Sequence, residues 1–333
     1  MRAVILAQGG APEVLQLQDI PDPEPGPGQA RVRLKAAGLN HRDIFQRKSY
    51  AEASPTILGS DGAGVVDAAG EGCDPAWVGR EVVINPSLHW GDREDAYGPD
   101  FQILGVPTRG TYAEAVVVPG ENLVPKPDHL SFVEAAALPL AGLTAWRGLF
   151  TRGGLTPGGT VLLPGIGGGV AGFALMFAKA AGARVIVTSS SREKLDRALA
   201  QGADGAVDYT EDLWEEKVRD LAGPWGIDMV LDHSGEATLP AATRLVRPGG
   251  SVVFLGVTTG VELRLNIRDL FFRQVNLKGT YMGSPREFQA MMQFVAQNRL
   301  RPEVHHVYKL AEAARAHAFM EAGAQYGKII LEI

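Results

Sequence analysis

The sequence predicts a two-domain α/β protein in which a β-rich first domain precedes a doubly wound domain built on a parallel sheet. Three observations carry this reading. Residues 1–124 read as short strands divided by glycine- and proline-rich turns. Residues 160–255 alternate short apolar runs with alanine-rich or amphipathic segments, the rhythm of parallel strands and crossover helices. A glycine cluster (Gly165, Gly167, Gly168, Gly169, Gly172) stands between the first of these strands and its helix. A chain of 333 residues is long enough for two domains with sizeable cores.

Taken in order, Ala3–Leu6, Leu15–Leu17 and Ala30–Ala36 are extended runs, and the proline-rich Pro21–Gly28 between them cannot be helical. Gly59-Ser-Asp-Gly-Ala-Gly64 leads into Val65-Val66, and Gly79–Ile84 adds another strand. Residues 85–111 form a long irregular stretch, the kind that is functional or makes a lobe of its own. Tyr112–Val118 returns to strand character. Ser131 and Glu134 form a capping box that opens an alanine-rich helix, and Gly142–Phe150 continues helically. Val161–Leu163 is a buried strand, followed by a helix from about Val170 to Ala181 with Gly182 as its stop. Val185–Val187 is the second strand. Ala206–Asp208, Asp228–Asp232 and Ser251–Leu255 are further strands, separated by helices at 211–221 and 236–246. Val275–Tyr281 reads as a strand, Arg286–Gln297 as a helix and Gly327–Glu332 as a closing strand. Past about 265 the alternation fades. The first domain is therefore expected to cover 1–124 and to be rejoined by 265–333, with 125–264 as the parallel-sheet domain.

Composition excludes several classes. The 32 basic and 38 acidic side chains, net −6, give no electrostatic footprint for nucleic acid. No apolar run reaches the length of a membrane span, and Arg2 starts a strand with no signal peptide ahead of it, so a cytoplasmic protein is expected. The single cysteine, Cys73, excludes an intramolecular disulfide and a cysteine-rich zinc site.

The glycine turn points to a ligand. Gly167-x-Gly169-x-x-Gly172, after a strand and opening a helix, has the spacing and context of a dinucleotide site. Glycines allow positive φ and let a phosphate approach the backbone, and the helix N-terminus directs N–H groups and its dipole at the anion. Gly165, Gly167, Gly168, Gly169 and Val170 are the expected contacts. The second strand ends in Thr188-Ser-Ser-Ser-Arg-Glu-Lys194, without the acid that usually accepts from the ribose hydroxyls of NAD. Ser189, Ser190, Arg192 and Lys194 offer hydroxyls and cations to a 2′-phosphate, so NADP(H) is the expected cofactor. A charge-assisted hydrogen bond of about 1.5–3 kcal/mol corresponds to roughly tenfold to a hundredfold preference. Ser190 and Glu193 also satisfy a capping box, which explains both without a phosphate. His233, Gly256 and Val257 lie at later strand ends, where open α/β sheets bind ligands. His233 is read equally as a cofactor contact or a satisfied loop residue.

Four segments resemble the medium-chain dehydrogenase/reductase superfamily: Ala37-Gly-Leu-Asn-His-Arg-Asp43, Leu58-Gly-Ser-Asp-Gly-Ala-Gly-Val65, Ala141-Gly-Leu-Thr-Ala145 and Pro164-Gly-Ile-Gly-Gly-Gly-Val-Ala171. The resemblance covers essentially the whole chain and implies a GroES-like catalytic domain beside a Rossmann domain. In the zinc-dependent alcohol dehydrogenases of this superfamily, a Cys, a His and a third Cys or acid hold the metal. Those positions fall here at Asn40, Ser60 and Ala141, and residues 85–111 contain no cysteine for a structural zinc. No metal is therefore expected. Without a Lewis acid worth several kcal/mol, hydride transfer favours acceptors that spread the developing charge, namely quinones and α,β-unsaturated carbonyls. The chain accordingly resembles the zinc-free quinone oxidoreductase and enone reductase branch, acting with NADPH on a small-molecule acceptor.

The resemblance also implies catalytic roles for Asn40, Asp43 and Thr144. Asn40 either donates to the acceptor oxygen or bonds its own backbone as a turn residue. Asp43 is read mainly as an anchor for His41 or a neighbouring loop. Thr144 either presents its hydroxyl to the nicotinamide or lies on a helix surface. His41 and Arg42 are read as contacts to cofactor phosphate or ribose, or as a solvated basic pair. Val275–Tyr281 resembles the strand that relatives pair across a two-fold axis, so a homodimer is expected; an exposed apolar edge otherwise invites aggregation. Two rival readings are an alcohol or aldehyde dehydrogenase and an NADPH-binding protein without catalysis.

Overall fold

In the computed structural model, which describes residues 1–333, the strand Gln29–Gly38 alternates buried Ala30, Val32 and Leu34 with partly exposed Gln29, Arg31 and Arg33. That period of two is the mark of a half-buried strand, and this one is the spine of a seven-stranded sheet. Asp61–Ala69 pairs antiparallel along one side of it. Ala115–Pro119 and Lys328–Glu332 share the other side, taking residues 29–33 and 36–38 respectively. The register sets Gly38 opposite both Asp61 and Ile330, so the first long strand, its hairpin partner and the last strand of the chain converge at one point. A smaller sheet of Arg2–Leu6, Leu15–Asp19 and Thr56–Ile57 shares a core with the helices His41–Ser49 and Ala313–Glu321. Cys73 is buried in a second cluster with Val32, Val66 and Val118.

Residues 85–111 are irregular, as expected, apart from the short pair Ser87–Leu88 with Gln102–Ile103. The lobe is held by aromatic rings. Phe101 stands 5.3 Å from Trp90 at 80° and 4.8 Å from Tyr97. Such pairs add to plain area burial.

The chain divides into two compact units, residues 1–143 with 283–333, and residues 144–282. The second unit is a six-stranded, wholly parallel sheet in the order Gly205–Asp208, Arg184–Ser189, Thr160–Leu163, Ile227–Asp232, Val246–Phe254, Asn276–Gly279. Its central strands carry buried apolar runs, Val161–Leu163, Val185–Val187 and Met229–Leu231, as parallel strands covered on both faces do. The helix Gly169–Ala180 follows the first strand, and Gly182 beyond it takes a positive φ of 78°.

Three boundaries differ from the sequence reading. Asn276–Gly279 joins the parallel sheet, so the return to the first unit begins at Gly283 rather than near 265. The alanine-rich helix Phe132–Ala137, opened by the expected Ser131–Glu134 box, packs on Gln29–Gly38 and Asp61–Ala69, which keeps residues 125–143 in the first unit. The helix expected at 236–246 is only Leu239–Leu245: the Ala237 N–H donates to Thr259 Oγ1, and Val246 begins the next strand. No helix is long and apolar enough to cross a membrane.

Candidate active site

Where the three strands converge, the polar residues of the first unit form a buried network. Only glycine fits at position 38, since a Cβ there would lie 2.6 Å from the Ala136 carbonyl oxygen and 3.1 Å from Asp61 Oδ2. Asn40 follows as the N-cap of the helix His41–Ser49. Its Nδ2 donates to Asp61 Oδ2 at 3.0 Å, and its Oδ1 accepts from Lys328 Nζ at 2.8 Å. Lys328 also donates to the Leu39 carbonyl at 2.6 Å and to Asp61 Oδ2 at 2.9 Å. Asp61 Oδ1 accepts from the Leu140 N–H at 2.8 Å. All three side chains are buried. The ammonium has spent its three donors and the carboxylate is bonded on both oxygens, the condition under which a buried pair is tolerated. Because Lys328 can only donate, Asn40 must present Oδ1 to it, leaving one Nδ2 hydrogen without an acceptor inside the protein.

Asp61 stands at the first position of its strand and acts only as an acceptor. Lys328 was not singled out at all. The signal was present, since a lysine heading the apolar Ile-Ile-Leu of a closing strand needs a buried partner.

Asp43 is fully buried, accepting from the Asn40 N–H at 2.8 Å and from Tyr112 Oη at 3.0 Å. Burial pushes its carboxyl up to about 6, against the opposing pull of the Arg42 charge. Burial, with Asp43 beside it, also holds the Tyr112 phenol well above its ordinary value. Asp43 thus anchors Tyr112 and the helix start. Arg42 Nη1 donates to Ser60 Oγ at 2.6 Å and to the Leu104 carbonyl at 3.0 Å, and Ser60 Oγ donates to the same carbonyl at 2.7 Å. Through these bonds the Arg42 guanidinium ties the 85–111 lobe to the Gly59–Asp61 segment. His41 is exposed on the first helical turn.

In the second unit, Gly165 and Gly167 take positive φ values of 71° and 135°. Ile166 N–H donates to the Thr188 carbonyl, fixing the turn against the second strand. A Cβ on Gly167 would meet Lys194 Cδ at 2.7 Å, so the lysine stem lies along the turn. Gly168 caps the helix Gly169–Ala180 and offers no side chain to its first N–H groups, among them that of Val170. A Cβ on Gly165 would stand 3.2 Å from the His233 ring, and one on Gly256 only 2.0 Å from the His233 carbonyl oxygen. Gly165, His233 and Gly256 therefore meet at the ends of three adjacent strands. Desolvation lowers the His233 imidazole below its ordinary value, which favours a neutral ring. Val257 is 56% exposed, and Thr144 is buried, so the helix-surface reading of Thr144 does not hold.

At the second strand's end, Ser189 Oγ accepts from the Ser191 N–H and Ser190 Oγ from Tyr209 Oη, both at 3.1 Å. The helix Arg192–Ala200 is capped by Ser191, whose hydroxyl accepts from Lys194 N–H, so the expected Ser190–Glu193 box is not formed. Arg192 pairs with Asp196 at 3.0 Å, with side chains 81% and 53% exposed; a pair that open is worth little.

The second-unit residues fit a dinucleotide. The turn is open to a phosphate, the helix N–H groups behind it have no side-chain cap, and Lys194 adds a cation. The first-unit residues do not fit zinc. Asn40, Ser60 and Ala141 supply one amide, one hydroxyl and one methyl, no group of three His, Cys, Asp or Glu is placed to hold a metal, and two cations already occupy the polar atoms.

Comparison with known proteins shows the family of the chain. The family model described as alcohol dehydrogenase GroES-like domain matches residues 26–128, and that described as zinc-binding dehydrogenase matches residues 169–297. The chain is 34% identical to the zinc-type alcohol dehydrogenase-like protein YogA of Leptosphaeria maculans, over 96% of this chain and 94% of that one. It is 33% identical to a quinone oxidoreductase of Pseudomonas aeruginosa over 99% of both. A crystal structure of an NAD-dependent alcohol dehydrogenase matches with a TM-score of 0.94 at 44% identity, covering 100% of each chain. The chain belongs to the medium-chain dehydrogenase/reductase superfamily of nicotinamide-dependent oxidoreductases.

Proposed function

We propose that the protein is an NADPH-dependent reductase of quinones or α,β-unsaturated carbonyls that works without a catalytic metal. The observation that carries this reading is the Asn40–Asp61–Lys328 network. Where zinc enzymes of the superfamily hold a metal, this chain has an amide oriented by an ammonium. A bound nicotinamide cofactor supplies hydride. The spare Nδ2 hydrogen of Asn40 donates to the acceptor oxygen as charge develops there, a contribution typically of about 2.7–4 kcal/mol. Asp61 and Lys328 keep that amide from rotating. Gly165, Gly167, Gly168, Gly169 and Val170 cradle the pyrophosphate, with Thr144, His41, His233, Gly256 and Val257 as further contacts. Ser189, Ser190, Arg192 and Lys194 receive the 2′-phosphate. With the capping role passed to Ser191, Ser190 is released for that contact.

The 44% identity to an NAD-dependent alcohol dehydrogenase favours a second reading, an alcohol or aldehyde dehydrogenase using NAD. Steady-state oxidation of NADPH and NADH with a quinone, an enone and an aldehyde separates the two. Turnover with NADPH on the first two acceptors supports the proposal, and turnover confined to NADH with the aldehyde, or to alcohols in reverse, overturns it.

We also propose a homodimer. Asn276–Gly279 is a sheet edge paired on one side only, and Phe271 and Phe272 nearby are 61% and 65% exposed.

A further inference from the structure

One face of the helix His41–Ser49 carries Asp43, Gln46 and Arg47, spaced as side chains that line one stripe. This helix packs against Ala313–Glu321, whose His317 and Glu321 lie four residues apart. Along this seam six buried polar atoms have no protein partner: Asp43 Oδ1, Gln46 Oε1, Arg47 Nε and Nη1, and both ring nitrogens of His317. Arg47 and His317 are 0% exposed. The remaining Arg47 nitrogen, Nη2, donates to Glu321 Oε1 at 2.6 Å, and the same carboxylate oxygen pairs with Lys48 at 2.7 Å at the surface. Tyr112 joins the two ends, its ring edge-on to His317 at 5.7 Å and its hydroxyl on Asp43.

The orphaned atoms are complementary. Arg47 contributes donors, Asp43 and Gln46 contribute acceptors, and a neutral histidine contributes one of each. Their neighbours in the shared core, Ile44, Tyr308, Ala313, Ala316 and Met320, are hydrophobic. Protein interiors rarely leave such atoms unpaired, and a buried water meeting about three polar partners is the usual solution.

We propose that this seam holds a file of internal waters that carries protons from solvent at Glu321 to Asp43, next to Asn40. The proposal rests on the reductive reading. Hydride addition to an enone or quinone leaves an anion that must take up one proton. Asp43 in its acid form is the source of that proton, passed on by a water beside Asn40 because the Asn40 N–H that donates to Asp43 cannot relay it, and the file returns one from bulk water, so each turnover consumes one hydride and one proton. Asp43 faces Arg42, Asp61 and Tyr112, and His317 faces Arg47 and Glu321. Burial raises the Asp43 carboxyl enough for its acid form to be populated near neutral pH.

The test combines an atomic-resolution crystal structure with kinetics of two variants. Ordered waters between Asp43, Arg47 and His317 are expected, and a dry seam overturns the proposal. In His317→Phe, which fills the file, kcat for NADPH-dependent reduction should fall at least tenfold. The solvent isotope effect should rise and the isotope effect from deuterated NADPH should shrink. Gln46→Leu, at a less buried position, should shift both isotope effects the same way by a smaller factor, and covers the case in which the first variant fails to fold. A folded variant with unchanged kcat, pH profile and isotope effects overturns the proton file while leaving the reductase reading intact. Absence of NADPH turnover on any acceptor in the unaltered protein overturns the reductase reading, and with it this role for the seam.

Discussion

Replacing Lys328 by methionine tests the buried network most sharply. The ammonium makes three bonds, to the Leu39 carbonyl, Asn40 Oδ1 and Asp61 Oδ2. Methionine keeps most of the volume and removes all three. Asp61 would then be a buried carboxylate with only the Asn40 amide and the Leu140 N–H as partners. Breaking one side of a buried pair costs about 3–5 kcal/mol, a large share of the roughly 5–15 kcal/mol that holds a folded protein together. Replacing both partners, with Asp61→Asn added to Lys328→Met, removes the orphaned charge and should recover about 1–3 kcal/mol, which a double-mutant cycle isolates. A protein of two units need not unfold in one step. Stability is therefore better read from hydrogen exchange in Gln29–Gly38 and Lys328–Glu332, which report on the first unit directly. A loss under about 1 kcal/mol in the single variant, or a double variant no better than the single, would refute the reasoning.

Other expectations follow from the same structure. Burial depresses His317 to about 3 from an ordinary 6.5, so its contribution to stability is present above pH 6.5 and is lost as pH falls toward 3. Asp43, raised to about 6 from 3.8, works oppositely, its contribution being present below 3.8 and lost as pH rises through 6. Urea unfolding of His317→Phe across pH 3–6.5 should therefore show less acid destabilisation than the unaltered protein, and an identical slope would contradict this. Arg192→Ala should lower the ratio of kcat/KM for NADPH over NADH by roughly tenfold to a hundredfold; an unchanged ratio removes Arg192 from the phosphate site. Light scattering at micromolar concentration should give twice the chain mass, and Leu277→Glu on the edge strand should return it to one.

The second unit was largely legible because its signals are local. Glycine turn, helix stop and strand runs all fall within about thirty residues of one another, the span of one βαβ unit. The missed capping register, Ser191 in place of Ser190, is a shift of one residue that local propensity does not resolve. Asn276–Gly279 was seen as a strand but placed with the wrong unit, since its pairing with Val246–Phe254 leaves no mark in its own polar sequence. The first-unit network was legible only in part. Asn40 and Asp43 stood out through their motif, whereas Lys328 meets Asp61 across 267 residues through the register of three strands. Arg42 turned toward Ser60 and Leu104 for a similar reason, its acceptors lying 18 and 62 residues away.

The most direct test of a metal-free site is turnover by protein stripped with a strong chelator and verified free of zinc by elemental analysis. The account predicts that NADPH oxidation by a quinone or enone proceeds at the rate of unstripped protein and that added zinc does not raise it. Activity lost on stripping and restored by zinc would mean that the Asn40–Asp61–Lys328 network rearranges to take a metal, and would contradict the account.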